Sequence, residues 1–90
     1  MISTHSFELF SAAVLKVLEA NNTRFGLEAA AVRLFVKQFG FEPTAEEMLR
    51  ALEYLAGKGL IEEMPKVLVK VNRAWKITDA GREYLDEHNI

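Results

Sequence analysis

Two segments constrain this chain more than any other feature: LEYLAGKGLIEE over residues 52–63 and WKITDAGREYL over residues 75–85, separated by a β-rich stretch. The first carries the apolar spacing of a helix end, two glycines that stop it (Gly57 and Gly59), and then Leu60 and Ile61, which begin an extended run. The second opens on extended residues and passes through Thr78, a helix N-cap, into a new helix. The pair demands a helix, a two-stranded ribbon and a further helix, in that order.

The rest of the chain supplies elements before this unit. Ser3, Thr4 and Ser6 offer N-caps for a first helix over residues 7–20, with Phe7, Phe10, Val14, Val17 and Leu18 at helical spacing. Leu9, Ala13 and Leu15 widen its apolar arc until only Glu8, Ala12, Lys16 and Glu19 form an outer stripe. Asn21-Asn22-Thr23 breaks the pattern, and residues 24–27 read as an irregular loop or as a short strand. A second helix spans residues 28–39, with Arg33 and Lys37 on its wet side. Gly40 suits a left-handed C-cap, Pro43 blocks continuation, and Thr44 with Glu47 forms a capping box for a third helix. Ala45, Met48, Leu49, Leu52, Leu55 and Ala56 give that helix one inward face. Strands are expected near residues 60–70 and 74–78, with the hairpin turn either at Pro65-Lys66 or, as favoured here, at Asn72-Arg73.

With 90 residues, half of them apolar, the chain makes one domain over residues 1–90, burying roughly 60–65% of its unfolded surface. No cysteine is present, so disulfide and thiolate-metal chemistry are excluded. The N-terminus lacks the cationic lead and apolar run of a signal peptide, and no stretch approaches the ~20 apolar residues of a membrane span. The expected location is cytoplasmic. A net charge of −2 gives no global attraction to nucleic acid, so any such contact rests on a local basic patch.

The element order, anchored by Leu52-x-x-Leu55-x-x-x-Gly59-Leu60-Ile61 and Ile77-Thr78-x-x-Gly81, resembles the winged helix-turn-helix family of transcriptional regulators across nearly the whole chain. It also looks like a group of small uncharacterised winged-helix proteins of Mu-like phages. The resemblance implies a mostly helical α+β fold with a three-helix core, a two-stranded wing and a short C-terminal helix. It further implies a double-stranded DNA partner, helix 3 as the recognition element, and homodimerisation.

The outward positions of helix 3 test that implication. They are Glu46, Glu47, Arg50, Glu53, Tyr54 and Gly57, so three carboxylates face where phosphates would lie. In the DNA-binding reading, Arg50 and Tyr54 reach bases while Lys66, Lys70 and Arg73 in or beside the wing touch phosphate. In the alternative, the chain is a protein-interaction module, such as an accessory phage protein, whose Glu46, Glu47 and Glu53 meet a basic protein partner. Lys70 and Lys76 have a further reading as charges that keep an edge strand from pairing. Arg33 and Lys37 read as a solvated stripe or as phosphate contacts. The broad apolar arcs of helices 1 and 2 exceed what so small a core should absorb, which points to a homodimer or heteropartner surface there.

Catalysis finds no constellation. His5 and His88 lie near opposite ends without metal-ligand spacing. Ser3, Ser6 and Ser11 cluster at the first helix, where N-capping explains them. Glu46-Glu47 and Glu62-Glu63 are adjacent and diverge, and Gly57 and Gly59 follow a helix rather than open one. No cofactor is implied, and Trp75 reads as a core residue packed from the wing, with a partner anchor as the alternative.

Overall fold

The computed structural model describes residues 4–65 and 73–88, with side chains from Phe7 onward. They form a small, mostly helical α+β domain with four helices and a three-stranded antiparallel sheet. In chain order the elements are α1 (Thr4–Ala20), β1 (Leu27–Glu28), α2 (Ala29–Val36), a 3-10 turn (Lys37–Phe39), α3 (Ala45–Gly57), β2 (Ile61–Glu63), β3 (Ala74–Ile77) and α4 (Asp79–Glu87).

The first helix is the centre of the molecule. It starts at Thr4, earlier than its apolar pattern, so Ser6 lies inside it rather than at its cap. Every residue from Phe10 to Leu15 is buried, as are Val17 and Leu18. A helix apolar on nearly all sides must be covered on nearly all sides. Here α2, α3, β3 and α4 all pack on it. The expected outer stripe is therefore narrower than its sequence pattern: Ala12 is buried and Lys16 half-buried. On this side Arg82 of α4 donates from Nε to Glu19 Oε2 at 2.8 Å, and Leu85 is 7% exposed.

A side-chain bond from Asn21 Nδ2 to the Val17 carbonyl helps close α1, and Thr23 Oγ1 donates to the Gly26 carbonyl. Gly26 has φ +77°, and a Cβ there would collide with the Trp75 carbonyl oxygen and Met64. That close approach lets the chain enter β1, which pairs with β3 through Leu27 opposite Trp75 and Glu28 opposite Ala74. A short strand thus precedes the second helix, displaced from residues 24–27 to Leu27–Glu28. The helix accordingly begins at Ala29 and tightens into the 3-10 turn after Val36.

Gly40, at φ +88°, reverses the chain as expected. Thr44 then opens α3 with a complete capping box: Glu47 N–H donates to Thr44 Oγ1 at 3.1 Å, and Thr44 N–H donates to Glu47 Oε1 at 2.8 Å. Across the turn, Arg33 Nε donates to the Pro43 carbonyl at 2.8 Å, a structural role that neither reading of Arg33 foresaw. Met48, Ala51, Leu52 and Leu55 form the buried face of α3.

The sheet order is β1-β3-β2, with Ile61 opposite Ile77, Glu62 opposite Lys76 and Glu63 opposite Trp75. Trp75 is 1% exposed and belongs to the core. Lys76 sits on the central strand, which overturns its reading as an edge guard. Residues 66–72 lie outside the described residues, and with them the far part of the strand expected over residues 60–70, both candidate hairpin turns and the side chains of Lys66 and Lys70. Thr78 caps α4 by accepting from Gly81 N–H at 3.1 Å.

Candidate interaction surface on α3

The outward face of α3 carries Glu46, Arg50, Glu53, Tyr54 and Gly57, all exposed. Glu47 is half-buried and committed to the capping box, so its carboxylate serves the helix start rather than a partner. The Thr44 backbone N–H holds its pKa below the ordinary glutamate value of 4.5, because that bond favours the charged form.

The two arginines that sequence reasoning assigned to DNA are both paired. Arg50 Nη2 lies 3.4 Å from Glu46 Oε1 on the same helix, with both side chains more than three-quarters exposed. Arg73 is held more firmly. Its Nε donates to Glu63 Oε2 at 2.8 Å and its Nη2 to Glu63 Oε1 at 2.9 Å, a two-pronged clamp. Its Nη1 reaches Glu53 Oε1 at 3.4 Å, and its guanidinium lies 5.0 Å from the Trp75 ring centroid. The hydrogen bonds to Glu63, followed by those to Glu53, raise its pKa above the ordinary arginine value. Arg73 therefore ties the β2–β3 pair to α3.

Tyr54 is half-exposed and anchored on two sides. The Phe7 ring meets it edge-on with centroids 5.2 Å apart, and the Lys58 ammonium stands 5.6 Å from its centroid. Glu46, Glu53, Arg50 and Tyr54 thus share one helix face, with Arg73 and Glu63 beside it. Lys66 and Lys70 cannot be placed on it from the described residues. No family model, curated protein or solved structure matches this chain.

The expected dimer surface changes character. The apolar arc of α1 is consumed by the core, leaving Leu9 as its large exposed apolar side chain among the described residues. Leu34 on α2, Phe39 in the 3-10 turn and Phe25 in the preceding loop are also exposed. Ser11, read as a capping residue, instead lies mid-helix and buried, with no hydrogen-bond partner for its hydroxyl. His88 Nδ1 lies 2.9 Å from the Tyr84 carbonyl and its ring stacks on Tyr84, which accounts for it as a helix-end residue. Among the described residues no helix is long and apolar enough to cross a membrane.

Proposed function

We propose that this chain is a winged helix-turn-helix domain that works as a protein-interaction module, docking a basic partner on the α3 face through Glu46, Glu53 and Tyr54. The order helix, short strand, helix, helix, strand pair, helix supports the winged-helix reading, with β1 closing the sheet against β3. A single observation carries the functional choice. Arg50 and Arg73, the two described arginines assigned to DNA, are paired with Glu46, Glu53 and Glu63, which leaves three carboxylates against two guanidinium groups on and beside this face. Duplex affinity comes mainly from cations that replace counterions along the phosphates, and a cation already paired contributes less. Fold alone does not select the ligand.

DNA binding stands as the second reading, favoured by Arg50 and Tyr54 standing exposed one turn apart on α3. The two readings separate in one pair of titrations. A labelled mixed-sequence duplex is titrated at several salt concentrations, and a lysine-rich helical peptide is titrated against the 15N-labelled protein. The protein reading expects no duplex binding at low salt, amide shifts centred on Glu46, Glu53 and Tyr54 with the peptide, and loss of those shifts in Glu46→Lys/Glu53→Lys. Duplex binding with a log–log salt slope of several units would replace it with the DNA reading. Peptide shifts that survive the charge reversal would reject this surface.

A further inference from the structure

Between the first turns of α2 and α3 and the start of β3 lies a cavity of about 510 Å3. Pockets that hold small molecules run from roughly 300 to 1,000 Å3, with apolar walls and a few convergent polar groups. This cavity follows that pattern. Ala29, Ala45 and Leu49 supply accessible apolar wall, with Met48 and Trp75, each 1% exposed, behind them, and Ala30 leaves room where a larger residue would fill it. Glu28, Arg33 and Arg73 also border it, so the wall sets two guanidinium groups against one carboxylate.

The guanidinium groups differ in what they have left to give. Arg73 is clamped by Glu63 and reached by Glu53. Arg33 uses Nε on the Pro43 carbonyl, which orients its plane, and pairs with no carboxylate among the described residues. Its terminal Nη donors are the uncommitted charge of the cavity, in the fork geometry that suits a planar carboxylate.

We propose that this cavity binds a small amphipathic carboxylate, with its apolar body against Ala29, Ala45 and Leu49 and its charge on the Arg33 Nη donors. The cavity borders the α3 face through Ala45 and Arg73 but is lined by neither Glu46 nor Glu53, so its failure would leave the α3 docking reading as it stands.

The chain has one tryptophan, and it borders the cavity from beneath its surface, beside Arg73, so a change in its surroundings on occupancy shifts its emission. Octanoate is titrated against the protein, with octanol and octylamine as partners of equal length, following Trp75 fluorescence and the amide shifts of Met48 and Leu49. Octanoate should saturate, with the neutral and cationic partners weaker by roughly tenfold or more, the scale of one charge-assisted hydrogen bond. Arg33→Gln should weaken octanoate by a similar factor. Because that change also touches the Pro43 bond, Ala30→Phe, at an exposed position, provides a second variant that should abolish binding with the far-UV spectrum unchanged. No saturable change in either readout overturns the proposal. So do equal affinities for octanol or octylamine, or octanoate binding undiminished in a folded Ala30→Phe protein.

Discussion

The Thr78 hydroxyl donates to the Gly59 carbonyl at 2.7 Å while accepting from the Gly81 N–H, and the Thr78 N–H donates to the Leu60 carbonyl at 3.1 Å. The two segments that most constrain the chain are therefore bonded to each other. One side chain ends the loop after α3 and begins α4. Gly81 completes the joint, since a Cβ there would collide with the Leu60 carbonyl oxygen and the Ile77 side chain. Gly81→Ala should destabilise the fold by about 1–3 kcal/mol in urea unfolding through overpacking against backbone. Thr78→Ala should cost about 1 kcal/mol by loss of the cap, and Thr78→Ser should retain most of it. A Gly81→Ala protein as stable as the parent would show that this contact is not tight.

The capping box predicts a pH signature. Glu47 has its pKa lowered by the Thr44 N–H, so its contribution is fully present above its unfolded value near 4.5 and is lost as pH falls through the lower folded value. Stability should thus decline on acidification through that window, and Glu47→Gln should flatten this part of the curve while leaving neutral-pH unfolding cooperative. Parallel pH profiles for parent and variant in urea titrations below pH 5 would rule Glu47 out as a source of the slope.

Local signals were readable in the sequence and distant ones were not. Thr44 with Glu47, Gly40, and Thr78 with Gly81 act over three or four residues, so residue identity and spacing carry them. The helix order and the burial of Trp75 followed from the same kind of pattern. The clamp from Arg73 to Glu53 spans 20 residues and the bond from Arg82 to Glu19 spans 63. Nothing in the spacing of such residues announces them, because their meeting depends on how the strand pair and α4 dock. By spacing alone Arg73 is a cation free for phosphate; in the fold Glu63 and Glu53 hold it. The apolar arc of the first helix exceeds what so small a core should absorb when read along the sequence, whereas in the fold four elements cover it.

Ser11 supplies a prediction of opposite sign to most core substitutions. Its hydroxyl is buried on α1 without a partner, a situation that costs more than an apolar side chain of the same size. Alanine removes the unmet hydrogen-bonding need and has the higher helix propensity. Ser11→Ala should raise unfolding stability by about 0.5–2 kcal/mol, read as a higher urea midpoint at unchanged slope. A lowered midpoint would mean the hydroxyl is satisfied in solution.

Releasing Arg73 tests the electrostatic argument directly. Glu53→Gln/Glu63→Gln removes both carboxylates from its guanidinium, and exposed ion pairs of this kind contribute little to stability, so the fold should persist. The freed cation should confer duplex binding at low salt, with Arg73 contributing about −0.9 to the log–log salt slope if it neutralises one phosphate. Removing two negative charges would also raise affinity without any contact by Arg73, and a third substitution separates the two effects. In Glu53→Gln/Glu63→Gln/Arg73→Gln the gain should largely disappear if the released guanidinium is responsible. If the triple variant keeps the gain, the surface charge as a whole governs DNA affinity and the clamp does not. If the double variant binds no better than the parent, the pairing of Arg73 is not what keeps this face from DNA.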